Sequence, residues 1–590
     1  MAPALRFRSQ AVRPSALLAI LASLGLVAPA WAGTLAVVET LPVGNTMAPR
    51  STAISVTFDR AVEPASIDHD SFRVFGKWSG AAQGTFSFSD GDTRVTFQPT
   101  GPFSAGEVVL VNLSHDIVAI DSSPLRAAGY AFAFVPQSNP SSRTFTQIDV
   151  MSNRSGSQTR IYGACASDLN EDGYLDLTTV NEVSSDIRVF LNRADGSGLY
   201  DDFLDPQPIG VEASPNDPAD FNNDGHADLC IDATISGSVW VLLGAGDGTF
   251  YSTQEIPVGS NPHGITTLDV DGDGDLDIVN ANNGSNNLSL LRNDGTGTFG
   301  VPSFFDSGVN GEYGLAAADM NRDGIMDVLV GGQQGQQIRT LLGNGDGTFT
   351  PAGPAQSSGG FTWVVTVGDL DGDGDIDASC ANSASNGGSI LLNNGDGTFG
   401  TPTFMSTGAH TPSTDLADLD GDGDMDWVLS CYGGGFWRAY TNDGAGHFTF
   451  DQEFPAPSNP SCSVPLDFDN DGDVDLALTD EIADVIVLMR NDQPASVPVP
   501  SAVLASSFEP NPVRDGARLR FQLPVVADLH LEIYDATGRR SYTRSWNRYP
   551  AGPAELELRG KDLASLPAGL YLYRLTAGAW RSEGRFTIAR

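Results

Sequence analysis

The chain has 590 residues, with 74 acidic side chains against 32 basic ones and a formal net charge of −42. That length exceeds any ordinary single core, so several domains are expected. An imbalance of this sign excludes nucleic acid, or an anionic membrane, as a partner held through a basic patch.

Residues 1–32 read as a secretory signal. Arg6, Arg8 and Arg13 precede an apolar run from Ala16 to Ala28, and Ala30-Trp31-Ala32 offers a small-x-small cleavage site before Gly33. The run is shorter than the roughly twenty residues of a membrane span. The mature chain is therefore expected to be secreted or held at the cell surface, with no transmembrane span. Residues 33–137 show short alternating strands, among them Ile54-Ser-Val56-Thr-Phe58, Phe72-Arg-Val74-Phe75 and Val108-Val-Leu110-Val-Asn-Leu113. About a hundred residues of this pattern predict an Ig-like β-sandwich. Residues 138–142 read as a linker.

Residues 143–492 repeat one nine-residue phrase, D-x-[DN]-x-D-G-x-x-D, seven times, at starts 49 to 52 residues apart. A fixed period of this length marks a repeat architecture. Positions 1, 3 and 5 carry side-chain oxygens, position 6 is always Gly and position 9 always Asp. One short loop wraps a hard cation in this way, since Ca²⁺ takes six to eight oxygens at roughly 2.3–2.6 Å and Gly permits the sharp turn. Asp, Asn and Gly also build plain turns, but turn chemistry alone does not demand acid at positions 1, 5 and 9 of every copy.

The candidate metal ligands are Asp168, Asn170, Asp172 and Asp176 in the first loop, then Asp220, Asn222, Asp224 and Asp228, and Asp269, Asp271, Asp273 and Asp277. Asp319, Asn321, Asp323 and Asp327 follow, then Asp369, Asp371, Asp373 and Asp377, Asp418, Asp420, Asp422 and Asp426, and Asp467, Asp469, Asp471 and Asp475. Up to seven Ca²⁺ ions are expected. Thirty of the 74 acids lie in these loops, and seven divalent ions would cancel a third of the net charge. Asn at position 3 removes a charge from loops 1, 2 and 4, which are expected to bind more weakly.

All fourteen residues at positions 2 and 8 are apolar, from Leu169 and Leu175 to Phe468 and Val474, which pins each loop to a core at both ends. A β-type run follows position 9, as in Asp277-Ile-Val, and turns such as Gly345-Asp-Gly-Thr-Phe349 precede an outer strand. Four short strands in about fifty residues is the size of a propeller blade. The seventh repeat stops at Asp492 without its outer strand, and Thr144-Phe145-Thr-Gln-Ile148-Asp-Val150 has the pattern of the missing piece. Pairing the two would close a seven-bladed ring. Residues 493–507, with Pro494, Pro498 and Pro500, read as a second linker before a β-rich segment at 508–590. The fold class expected is all-β, a seven-bladed β-propeller flanked by two Ig-like β-sandwich domains.

No catalytic constellation is visible. There is no H-E-x-x-H, G-x-S-x-G or Walker loop, and no two of the seven His lie within ten residues of each other. His226 and His263 fall in or near loops 2 and 3, and His410 and His447 in turns, where solvated turn residues are expected. Trp240, Trp363, Trp427 and Trp437 fill gaps between blades if buried and stack sugars if exposed; the apolar runs around three of them favour the core. The five Cys lack C-x-x-C spacing; their number is odd, so at least one stays free or pairs between chains, and a buried, unpaired state is expected for most of them.

On the loop, the period and the Gly-Asp-Gly-Thr-Phe turns, residues 143–492 resemble the FG-GAP repeat family, also called VCBS, the propeller type of integrin α subunits and many bacterial surface proteins. The resemblance implies Ca²⁺ in the loops, bracing the blades, with ligands docking elsewhere on the ring. The segment from Leu41-Pro42 through Ile54-Ser-Val56-Thr-Phe58-Asp59 to Phe132-Ala-Phe134-Val135-Pro136 resembles bacterial Ig-like domains of surface-layer proteins, which serve as spacers or interaction modules. Leu529-His-Leu531-Glu-Ile533-Tyr534 and Leu566-Pro-Ala-Gly569-Leu-Tyr571-Leu-Tyr573 are similar to C-terminal Ig-like domains related to the flagellar hook-capping protein and to type IX secretion sorting tails. That similarity implies a contact with the cell envelope or secretion machinery. The function these readings imply is adhesion or ligand binding, without enzymatic activity, toward an extracellular protein or polysaccharide. An extracellular polysaccharide lyase or hydrolase on a propeller scaffold, or a purely structural envelope protein, are the alternatives.

Overall fold

The computed structural model describes residues 33–492 and 507–589, apart from 510, 515, 524–526, 536–538, 550–551, 560–565 and 578–579. The predicted signal and most of the second linker lie outside the described residues. Strands and loops make up the described fold, with three single-turn 3₁₀ segments and no α-helix among the described residues.

Between Thr144 and Asp492 the strands form seven antiparallel sheets, taken here as blades 1 to 7. Each blade starts on an inner strand, passes through an acid loop into a second strand, and continues outward. In blade 3 these strands are Pro262–Leu268, Asp277–Asn282, Asn287–Leu291 and Ser303–Phe305. The second strand is wholly buried there and in every other blade, as the β-type runs after position 9 require. Blade 7 lacks an outer strand of its own. Thr144–Ser152 supplies it, pairing antiparallel with Val485–Asp492 from Thr144 opposite Asp492 to Ser152 opposite Val485. The inner strands touch in sequence, and Pro460–Leu466 of blade 7 lies against Ile161–Ser167 of blade 1. The ring is closed by its own first strand, which leaves no unpaired edge at the joint.

Residues 33–136 form a two-sheet sandwich. One sheet has the order Val37–Leu41, Ile54–Phe58, Arg94–Pro99, Gly84–Ser89, and the other packs Tyr130–Pro136, Val109–Leu113 and Phe72–Gly76 at its centre. The expected alternation at Ile54–Phe58 is present, with Ile54, Val56 and Phe58 buried and the residues between them partly exposed. The sandwich and the ring belong to one compact unit, and residues 494–590 to another. The second unit is also a two-sheet sandwich, with Leu519, Leu531, Ile533, Leu558, Leu575 and Phe586 fully buried in its core.

Candidate functional site

All seven acid loops follow inner strands, so all seven lie on one face of the ring. Their local geometry repeats. The position-1 Asp accepts a hydrogen bond from the position-6 Gly N–H in every loop, at 2.8–3.2 Å from Asp168–Gly173 to Asp467–Gly472. That closure needs a left-handed backbone at position 6, where φ runs from 76° to 98°, and this is why only Gly occurs there. The apolar residues at positions 2 and 8 are all buried, none more than 8% exposed.

Position 9 is pinned from both sides. Asp176 accepts from the backbone N–H groups of Leu169 and Asn192, and Asp277 from those of Val270 and Asn293. The equivalent pair of bonds recurs at Asp228, Asp327, Asp377, Asp426 and Asp475. The loop end is therefore locked to the sheet by a carboxylate that still has lone pairs to offer.

The structure gathers three carboxylates within 4.8 Å of one another in four loops: Asp269, Asp271 and Asp273; Asp369, Asp371 and Asp377; Asp418, Asp420 and Asp426; and Asp467, Asp469 and Asp475. Loops 1, 2 and 4 carry no such trio. There the position-3 amide donates to the position-5 carboxylate, Asn170 to Asp172 at 2.9 Å, Asn222 to Asp224 at 2.8 Å and Asn321 to Asp323 at 3.0 Å.

The donor set fits a hard cation. It is all oxygen, and Asp220 Oδ1, Asp271 Oδ1 and Asp467 Oδ1 are buried without a hydrogen-bond partner. Burial, reinforced by neighbouring carboxylates, raises Asp269, Asp418 and Asp467 to about 7. It raises Asp168, Asp220 and Asp319, with fewer acids around them, to about 6. Crowded, dehydrated carboxylates of this kind require either protons or a cation. These Asp groups could hold Ca²⁺, whose chemistry at such a loop is to neutralise and cross-link the oxygens.

A second recurring residue is absent from the sequence reading. Asn192, Asn293, Asn393 and Asn442 each follow the third strand of their blade, and Asn491 lies near the end of it. In each, the amide donates both to the position-8 carbonyl of its own loop and to the position-2 carbonyl of another blade's loop. Asn393, for example, bonds Ile376 O and Met320 O at 2.9 and 2.8 Å. Its signal in the sequence is the same fifty-residue period, sixteen residues after position 9.

The acid-loop face is not free. The N-terminal sandwich and residues 138–142 lie on it. Gly272 O accepts from His115 N, Gly324 O from Ala131 N and Arg126, Gly374 O from Asn45, and Gly472 O from Asn139 N. Asp168 N donates to Trp78 O, and Ser141 N to Asp420 O. Arg73 pairs with Asp275 at 2.9 Å, and Arg143 with Asp420 at 3.4 Å. Lys77 reaches the inner strands themselves, 2.9 Å from Asp217 and 2.6 Å from Thr267 Oγ1. The tip of the sandwich thus enters the mouth of the channel on the loop side.

The family model for the FG-GAP-like repeat matches six overlapping stretches from residue 168 to residue 478, more than half of the chain. The chain belongs to the FG-GAP-like repeat family. The model for the bacterial Ig-like domain matches residues 33–135. A search of curated proteins finds no match. Among solved structures the chain is similar to BBS1N in its complex with ARL6DN, at 10% identity and a TM-score of 0.42, covering 61% of this chain and 99% of that one. It is also similar to a functionally unknown protein from Desulfotomaculum acetoxidans, at 12% identity and a TM-score of 0.37, covering 62% and 95%. Among the described residues no helix is long and apolar enough to cross a membrane.

Three sequence expectations change. His263 is not at loop 3 but at the opposite end of the same inner strand, buried and stacked on Tyr313 with ring centroids 3.6 Å apart. His410 is half-buried against Trp363 and Tyr432. The core reading holds for Trp427 and Trp437, which are fully buried, whereas Trp240 and Trp363 retain exposed surface. All five Cys are free, with Cys230, Cys380 and Cys431 buried and Cys165 and Cys462 partly so.

Proposed function

We propose that the protein is a secreted or surface-held propeller, braced by Ca²⁺, that binds an extracellular protein or polysaccharide as an adhesion module. The observation that carries this reading is the placement of the N-terminal sandwich. It covers the acid loops, so the loops serve the ring's stability and the docking of the sandwich, and the opposite face is left for a ligand. The 28 loop residues named from the sequence are the proposed ligand set, with position 9 acting as both ligand and backbone lock. The C-terminal sandwich is proposed, on its similarity to sorting-type domains, to contact the envelope or the secretion machinery.

The test is retention of the calcium-loaded protein on a panel of immobilised polysaccharides and matrix proteins, with released fragments scored in parallel. Retention without fragments supports the adhesion reading. Release of fragments replaces it with a polysaccharide-active enzyme, and neither signal leaves a structural envelope role.

A further inference from the structure

The inner strands end at the acid loops and begin about 20 Å away, six residues at roughly 3.3 Å each, on the opposite face. There, side chains from separate blades meet across the axis. His263 of blade 3 touches Tyr162 of blade 1 and Trp363 of blade 5, at centroid distances of 5.6 and 6.0 Å. Tyr313 of blade 4 lies 4.7 Å from Trp363. Tyr162, His263 and Tyr313 close the channel as an aromatic floor. Burial holds His263 neutral, lowering it to about 3, and pushes the Tyr162 and Tyr313 hydroxyls up.

The rim around this floor breaks the symmetry of the ring. In every blade the residue just after the second strand donates its N–H to the carbonyl of the residue eight before position 1 of its acid loop, which directly precedes the inner strand in all blades but blade 6, where it is His410. These two positions can therefore be compared blade by blade. After the second strand, blades 2 to 5 carry Thr234, Asn283, Gln333 and Ser383, whereas blades 6, 7 and 1 carry Tyr432, Glu481 and Glu182. Before the inner strand, blades 3 and 4 carry Asn261 and Gly311, which take left-handed backbone readily, at φ 53° and 71°. Blade 1 places Arg160 there at φ 59°, a conformation that disfavours Arg and that Asp484 holds by accepting the Arg160 N–H at 2.6 Å. After the second strand, ionic and aromatic side chains are confined to one arc, blades 6, 7 and 1; at the other position Arg160 adds the basic group of that arc, while Glu212 of blade 2, at φ 52°, and Phe361 of blade 5 stand elsewhere on the rim.

The arc is already organised. Arg160 sits between Glu182, at 2.8 Å, and Glu481, and Tyr432 O–H points to Glu481 at 3.5 Å. Arg160 and Glu182 keep part of their surface exposed. Next to them lie the half-exposed rings of Trp363, His410 and Tyr432.

We infer that this arc binds one pyranose ring of a neutral glycan, an inference that rests on the ligand-binding reading above. A pyranose has an apolar C–H face and an edge of hydroxyls. The Trp363 and Tyr432 rings match the face, and the Glu182–Arg160 fork, with acceptors beside donors, matches the edge. Glu182, Glu481 and the net charge of −42 disfavour an anionic sugar. The acids are already paired with Arg160, so a cationic ligand would have to displace it.

The test uses the full chain with calcium and soluble neutral oligosaccharides of β-glucan, chitin, mannan and galactan, beside a uronate oligomer and a poly-lysine peptide. Binding is read by quenching of tryptophan fluorescence and by calorimetry. Neutral sugars are expected to bind, and Trp363→Ala, Tyr432→Leu and Glu182→Gln each to weaken them by about tenfold or more, with bound calcium and melting temperature unchanged for Glu182→Gln. Sugar binding unaltered in all three variants, or binding only of uronate, poly-lysine or a matrix protein, overturns the site while the adhesion reading stands. No retention of any probe, protein or polysaccharide, overturns both.

Discussion

The two faces of the ring are built from opposite materials. On the loop face, seven near-identical acid loops repeat the same hydrogen bonds, and a second domain covers them. On the other face, equivalent positions have diverged: after the second strand, four blades carry uncharged polar side chains and three neighbours carry Tyr, Glu and Glu. Repetition is what a load shared by all blades requires, because each loop does the same job for its own sheet. Divergence is what a single ligand requires, because one bound molecule off the axis cannot see sevenfold symmetry. Removing calcium should therefore harm the first face far more than any one substitution harms the second.

The largest effect expected is that of chelation. Ions that bind only the folded chain stabilise it by mass action, about 2.7 kcal/mol per site at a hundredfold excess over Kd. With several sites, chelator is expected to lower the melting temperature by more than about 10 °C, and to expose residues 138–142 to protease as the loops beneath them loosen. An unchanged melt with no bound metal would remove the bracing role altogether.

Next in size is a pH dependence that only the calcium-free protein should show. Burial raises the loop carboxylates above the ordinary value of 3.8, Asp327 and Asp426 to about 8 and Asp377 to about 7. A carboxylate raised on folding contributes stability that is present below its unfolded pKa and is lost as pH rises through its folded pKa. Without calcium, the melting temperature should fall between pH 4 and pH 8; with saturating calcium, that fall should disappear. Parallel profiles in the two conditions would mean that the loop carboxylates do not exchange protons for metal.

The loop face was legible in the sequence because its determinants are local. Asp, Gly and two flanking apolar residues lie within nine positions, and the period copies them. The closure of the ring by Thr144–Ser152 was legible too, because a missing strand at one end matched a surplus strand at the other. The cover over the loops was not, because it is made by backbone contacts between segments hundreds of residues apart, such as His115 N to Gly272 O. The mouth was hidden for another reason. Its equivalent positions follow the same period, eight residues before position 1 and six after position 9, but their residues differ from blade to blade, so no shared residue type marks them. His263 was misplaced on that account, assigned to the loop nearest in sequence when the strand carries it to the far end.

A smaller effect is expected where the sandwich enters the channel. Lys77 is about a fifth exposed and pairs with Asp217. Lys77→Ala leaves that carboxylate without its cation, and a cost of about 1–3 kcal/mol is expected once partial solvent screening is allowed for. Differential hydrogen exchange should place the loosening in residues 72–81 and at Asp217, with the aromatic floor unaffected. Loosening that spread to Tyr162 and Trp363 would show the two ends of the channel to be coupled and would weaken the contrast between the faces.

The smallest expected change isolates charge count from geometry. Asn170→Asp gives loop 1 the acid pattern of loop 3 at position 3 and removes the 2.9 Å bond from the Asn170 amide to Asp172. In the calcium-free protein the new carboxylate faces Asp172 and half-buried Asp168, so the melting temperature should drop slightly. With calcium the same repulsion becomes ligation, and the affinity of that one site should rise by about fivefold, equivalent to roughly 1 kcal/mol. The two shifts have opposite signs, which a general change in loop stability cannot produce. Calorimetric titration of the variant beside the parent chain resolves them; an affinity that stayed the same would mean that loop shape, and not the number of carboxylates, sets how tightly these sites hold their ion.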